Sequence, residues 1–431
     1  SLNIYRDLER NSFDRIDIFR KARRQFIKRS LSKGRIELND GETGLAIKTY
    51  RKLLDYDRSI VEAHRGLIRS YATIKKIDKI IEEYKKKVNK SLGTAAKPGP
   101  GEAKQESPAH VEIYSLGLAL TYLDPPQLDD AIDLIKQSIT LKSQVSSYHQ
   151  TLGWLYEQKG ILDKKADYLE RALEENQMAL AFNDENEYPE NEANLLLNYA
   201  NTSFNLQNFD TAYRYFKLRL DTGVPFENLD RESLFYQRFG QSAFKQGEYA
   251  QAADYYHKAL RQAEKKNDLN RQAELNDRLA LSYQELGKYK KANDYFSRVL
   301  SLNKKSKNVK NISITLRNMA NNLYALGETE TGPEKTENLA KALKSYTESM
   351  DALEKYGVKE AKKKKKRGLF SFEFEKAVGT ETSAAAKGFD RTGEEKLIFN
   401  YLGKIYKDFR DYDKSISYYE KKLKLTPAGL K

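Results

Sequence analysis

Apolar and small residues recur along 233–266 at the three- and four-residue spacings of a helix, with polar residues on the other face. Phe239-Gly240 and Ala243-Phe244 mark the inner stripe of one predicted helix, and Ala252, Tyr256 and Ala259 that of a second. Gly247 breaks the pattern between them, where a glycine permits the left-handed backbone that ends a helix and turns the chain; Tyr249 is expected in that turn. The next stretch repeats the register with Leu279-Ala280, Tyr283, Gly287, Tyr289, Ala292, Phe296 and Val299. Small residues form a ladder of period 40, at Ala200, Gly240, Ala280 and Ala320. A second ladder follows 12 residues later, at Ala212, Ala252 and Ala292. A fixed period of this length marks a stack of like supersecondary units, each a pair of helices, and not one central core. The rungs are small because neighbouring helices must approach closely there.

Further copies vary in quality. Leu402-Gly403, Tyr406, Tyr412, Tyr419 and Pro427 set one at 396–429, and Leu152-Gly153, Tyr156, Gly160, Leu169 and Ala172 another at 146–179. Gly34, Gly41, Ala46, Tyr50 and Leu53 mark 27–60, and Leu67, Tyr71, Ile77, Ile80 and Tyr84 a degenerate copy after it. Leu116-Gly117, Ala131 and Ile135 belong to a copy whose turn carries Asp124-Pro125-Pro126. Met319-Ala320, Leu323, Gly327, Ala342 and Tyr346 belong to one whose turn is expected to be expanded over 328–338. The pattern resembles the tetratricopeptide repeat (TPR), W-x2-L-G-x2-Y followed by a small, an aromatic and a second small residue. The expected fold is therefore all-α, a right-handed α-solenoid or superhelix of about nine TPR-like helix pairs.

The 40-residue period exceeds the roughly 34 of the minimal repeat. The excess is expected in the second helix and its exit turn, over Ala263–Asp268. Long repeats of this kind resemble those of kinesin light chains and Pins-type spindle adaptors, mainly over 193–350. That resemblance implies an inner surface that grips an extended peptide.

The predicted organisation is a capping helix at 1–26, two repeats over 27–91, a Pro/Gly linker at 92–109, repeats three to eight over 110–356, an insertion at 357–395 and a final repeat at 396–431. An acidic loop is expected over Asn183–Asn191. The insertion opens with a basic patch, Lys362, Lys363, Lys364, Lys365, Lys366 and Arg367, and continues with Phe370, Phe372 and Phe374 in an alternation suited to a short strand or an ordered loop.

Register also picks out candidate binding residues. Positions two before and one after each rung point away from the packed stripe, toward the expected groove. They give Asn198, Arg238, Arg278 and Asn318 in one column and Asn201, Gln241 and Asn321 in the other, with Arg317 alongside and Asn400 and Lys404 from the last repeat. Asn can both donate to and accept from the main chain of an extended peptide, and Arg adds bidentate capture of a carboxylate. Arg317 with Asn321 resembles part of the Lys-x3-Asn element with which some TPR domains clamp a C-terminal carboxylate. Trp154 is read as a packing residue before a partner anchor, and the tyrosines as packing residues with wet hydroxyls.

Composition narrows the chemistry. The chain of 431 residues has no cysteine, so disulfide and thiolate chemistry are excluded. His64, His110, His149 and His257 stand singly without metal-ligand spacing, so no metal and no cofactor is expected. No G-x-S-x-G, P-loop, dinucleotide-binding glycine pattern or HExxH occurs, and no enzyme activity or small-molecule substrate is expected. No run reaches the length of apolar residues that crosses a membrane. The net charge of +14 is mostly spread over solvated faces, as at Lys85-Lys86-Lys87 and Lys304-Lys305. The expected partner is a protein or peptide. The alternative is an electrostatic tether to a membrane surface or nucleic acid through the Lys-rich insertion, with the solenoid as spacer; of the two, nucleic acid is disfavoured because no base-reading motif accompanies the charge. The Lys-rich, Cys-free composition suggests a bacterial envelope, secretion or export role, and the start at Ser1 a processed or cloned fragment.

Overall fold

The computed structural model describes residues 2–94, 109–183, 189–367 and 390–425. Every regular element among them is an α-helix, and the helices pair in chain order into nine hairpins. The chain divides into two compact units, Ser1–Val224 and Pro225–Lys431.

The first unit holds five hairpins: α1 (Leu2–Asn39) with α2 (Thr43–Tyr56), α3 (Val61–Thr73) with α4 (Ile77–Thr94), α5 (Ala109–Leu120) with α6 (Leu128–Leu141), α7 (Ser146–Asp163) with α8 (Ala166–Ala181), and α9 (Pro189–Asn205) with α10 (Phe209–Asp221). The second holds four: α11 (Leu229–Lys245) with α12 (Tyr249–Lys265), α13 (Leu269–Glu285) with α14 (Tyr289–Lys305), α15 (Val309–Thr329) with α16 (Gly332–Arg367), and α17 (Arg391–Asp408) with α18 (Tyr412–Lys424). Within each unit the second helix of one hairpin packs on the first helix of the next, so burial is shared between neighbours.

The period of 40 has a simple origin in the second unit. Helices α11 to α14 each run 17 residues, and three-residue turns join them. Gly247 and Gly287 turn the chain at φ +83° and +70°, a region where a Cβ is strained. The return turns use Asn267 and Lys307 in the same left-handed region. Each is followed by a side-chain cap: Asp268 accepts from the Arg271 N–H at 3.0 Å and Asn308 from that of Asn311 at 3.2 Å. Extra length therefore lies in full-length helices with capped three-residue turns.

All seven ladder positions are buried, as the spacing predicts. At Gly240 a Cβ would stand 2.9 Å from the Tyr256 ring, so the tyrosine needs a bare backbone opposite it. Gly160 and Gly327 do not turn the chain. They lie inside α7 and α15, where Leu169 and Leu339 press against them.

Other elements depart from the expected boundaries. Helix α1 runs unbroken from Leu2 to Asn39, through the point where a capping helix was expected to end. Tyr249 opens α12 and does not sit in the turn. The expanded turn expected over 328–338 is helical except at Glu330 and Thr331, because α15 and α16 both extend into it. Helix α16 also continues through the basic patch to Arg367, and α17 begins at Arg391, inside the expected insertion. Pro189 starts α9, where its missing N–H costs nothing, so the acidic loop is shorter than expected. Most of the Pro/Gly linker, and Phe370, Phe372 and Phe374, lie outside the described residues.

Candidate interaction face

The candidate residues fall on first helices: Asn198 and Asn201 on α9 in the first unit, and in the second Arg238 and Gln241 on α11, Arg278 on α13, Arg317, Asn318 and Asn321 on α15, and Asn400 and Lys404 on α17. All are half-buried except Lys404, which is exposed. Behind them the rungs and Phe239, Leu279 and Leu402 fill the packed side. These polar residues are thus free of the main packing stripe, as their register requires.

Several are already engaged within the chain. Arg317 and Glu394 form an ion pair from α15 to α17, with Nε and Oε2 2.6 Å apart and both side chains 17% exposed. That contact is off line for a hydrogen bond; the aligned one runs from Arg317 Nη2 to Glu394 Oε1 at 3.3 Å. The cation expected to clamp a partner's carboxylate therefore holds the protein's own. Asn321 accepts from the Tyr346 hydroxyl at 2.6 Å, and Asn400 accepts from Lys422 at 2.9 Å. Lys404 places its ammonium 5.3 Å from the Tyr401 ring centre and 6.0 Å from that of Tyr324, in cation–π range.

The structure adds a third column, three residues before each rung, which the reading by register named only at Arg317 and at Asn400, three before Gly403. Gln237 on α11 donates to Glu274 on α13 at 2.9 Å and accepts from Arg271 at 3.1 Å. Asp277 and Arg317 hold the same place on α13 and α15. Burial pushes the Asp277 carboxyl up to about 6, with Glu274 adding to the shift and Arg278 and Arg317 opposing it. The same 40-residue spacing that gave the other columns would have found this one.

The first unit differs at its third hairpin. Every residue of α5 except His110 is buried. Tyr114, three residues before Gly117, shares a hydrogen bond of 2.9 Å with Thr151 of α7 and stacks on Tyr148 at 4.5 Å. The Ser147 hydroxyl donates to Glu62 at 2.9 Å and Arg65 to Gln150 at 2.7 Å, joining α3 to α7 past α5. Here the chain's own side chains occupy the face that is polar and accessible in the second unit.

The histidines are tied into packing. His64 bonds the Tyr84 hydroxyl and the Arg58 carbonyl, and His149 bonds Glu175 and the Ser143 carbonyl. His110 bonds Tyr148 and His257 bonds Tyr283. Among the described residues no group of His, Asp and Glu is placed to hold a metal ion. Trp154, read first as a packing residue, remains 38% exposed on α7. The basic patch forms the final turns of α16.

The tetratricopeptide repeat family matches residues 230–305 and again 399–428. The chain is a tetratricopeptide repeat protein. No curated protein matches it. It is similar to a chain of the APC/C hetero-tetramer Cut9-Hcn1, at 14% identity over 72% of this chain and 50% of that chain, with a TM-score of 0.38. The match thus spans half that chain's length. The quorum sensor NprR from B. thuringiensis is similar at 14% identity over 93% of this chain and 99% of that chain, with a TM-score of 0.40. YrrB, described as a TPR protein with an unusual peptide-binding site, is similar at 19% identity over 52% and 97%, with a TM-score of 0.35. The family matches are to the TPR at large, so the kinesin light chain-like subtype rests on the repeat length alone. Repeats of this family typically serve as interaction modules, and at that level this TPR protein is an interaction scaffold.

Proposed function

We propose that the protein acts without catalysis, by holding an extended segment of a protein partner along the first-helix face of its second unit. The observation that carries this reading is the repetition of polar, half-buried side chains in one register on α11, α13 and α15, over a core that does not need them. A preformed face of this kind loses little ordering entropy when a segment docks, so many modest contacts can sum to useful affinity. Arg238, Gln241, Arg278, Asn318 and Asn321 are the residues assigned to it, with Lys404 at its α17 end. Asn198 and Asn201 offer the same chemistry on α9. Arg317 and Asn400 serve mainly to join neighbouring elements.

A second reading has its own observation. Helix α16 carries the basic patch as its last turns, which concentrates charge at one helix end and suits an anionic membrane surface. Two changes separate the readings in pull-downs of native partners. Arg238→Glu with Arg278→Glu abolishes capture if the face is the binding site, whereas deleting 359–375 leaves it intact. The reverse pattern supports the tether, and indifference to both changes defeats both.

A further inference from the structure

The column three residues before each rung joins neighbouring first helices at two of three places. Gln237 is satisfied by Glu274 and Arg271 of the next first helix, and Arg317 by Glu394 of the next. Asp277 stands between them and breaks the series. In the two registers where Gln237 meets α13, α15 offers Ile314 in place of Glu274 and Asn311 in place of Arg271, and neither side chain makes a hydrogen bond to Asp277. Among the described residues no hydrogen bond or ion pair reaches the Asp277 carboxylate, and the side chain is only half-buried. A desolvated carboxylate without donors is costly unless something supplies them. The titratable groups around it are Glu274 and Arg278 on its own helix, Tyr256 from α12, and Arg317 from α15, whose charge Glu394 already takes up.

We infer that Asp277 is the acceptor for a basic side chain of the bound segment, so that the partner is recognised by an Arg or Lys and not by a carboxylate. This rests on the proposed binding face and adds the chemistry of its occupant. It also reverses the polarity suggested by Arg317 and Asn321, whose donor and acceptor are engaged internally. Arg is the better fit, because its planar fork meets both carboxylate oxygens at once.

The test uses the full chain and fluorescein-labelled extended decapeptides in matched pairs, identical except for Arg or Glu at the centre, read by fluorescence anisotropy. Wild type binds the Arg member about ten-fold or more tightly than its Glu twin, the scale of one charge-assisted hydrogen-bonded pair. Asp277→Asn, nearly isosteric, brings that ratio close to one without lowering the melting temperature, which rises at neutral pH because the desolvated charge is gone. Ile314→Gln supplies an internal donor and lowers the ratio independently. Because the Asp277 carboxyl is pushed up to about 6 by burial, the preference also fades as pH falls from neutral through that value, and Asp277→Asn removes this dependence. Peptides that bind without charge preference, that prefer Glu, or that keep the Arg preference in Asp277→Asn overturn the inference alone. If no decapeptide of either kind binds, the proposed binding face fails together with it.

Discussion

Helices α5, α11 and α13 hold the same place in their hairpins, yet α5 is buried almost all round and the other two only along a stripe. Position by position, Leu118 of α5 lies one residue after its rung and is 8% exposed, whereas Gln241, in that place on α11, is half-buried and polar. Tyr114 packs on α7 through Thr151 and Tyr148, whereas Asp277 has no such partner. A single repeat motif thus serves two ends. Where first helices close over one another the array gains core, and where polar columns stay uncovered it gains a surface for another chain.

The sharpest way to break that contrast is to place the same charge at both sites. Leu118→Lys leaves an unpaired ammonium in the packed face of α5, and we expect a loss of about 4–5 kcal/mol, read as lost hydrogen-exchange protection in the first unit. Phe239→Ala empties a site that is 0% exposed behind the second unit's face, with an expected cost of about 3–4 kcal/mol by denaturant unfolding. Arg317→Ala strands Glu394 between α15 and α17; about 1–3 kcal/mol is expected, with a double-mutant cycle against Glu394→Ala showing strong coupling.

Two histidines on first helices, His64 of α3 and His149 of α7, sharpen the comparison within the first unit. Burial holds His64 down to about 4, so it folds neutral. Its stabilisation is complete above the unfolded value near 6.5 and is lost as pH falls toward about 4. Burial opposes the charge on His149 as well, but hydrogen bonds to Glu175 and the Ser143 carbonyl outweigh it and raise its pKa. That contribution is complete below about 6.5 and is lost as pH rises through the raised value. His64→Gln should flatten the acid limb of the unfolding midpoint and His149→Gln the limb above it. The smallest expected effect is Gln241→Lys, within about 0.5 kcal/mol of wild type by denaturant unfolding, because the site lies off the packed stripe.

The repeat architecture was legible because small residues and aromatics recur at a fixed interval, and Ala252, Ala280 and Ala292 are buried as that interval demands. Boundaries were harder to read where local signals had two uses. Gly160 and Gly327 resemble turn glycines but provide close helix contact, and the Lys-rich stretch after 357 resembles an insertion but continues α16. At the site, register located the face without revealing its wiring. The Arg317–Glu394 pair joins residues 77 apart, across a stretch of chain whose length no local pattern specifies. Nor could spacing show that no hydrogen bond or ion pair within the described residues reaches the Asp277 carboxylate.

The central claim is that an incoming chain touches the first helices of the second unit. Photo-crosslinking from benzoylphenylalanine tests it most directly, with the probe in place of Gln241 or Asn318 on first helices and in place of Ser297, exposed on α14, as the control. Adducts with a native protein partner from positions 241 and 318 and none from 297 are the predicted result. Adducts from 297 alone, or equally from all three positions, would contradict it.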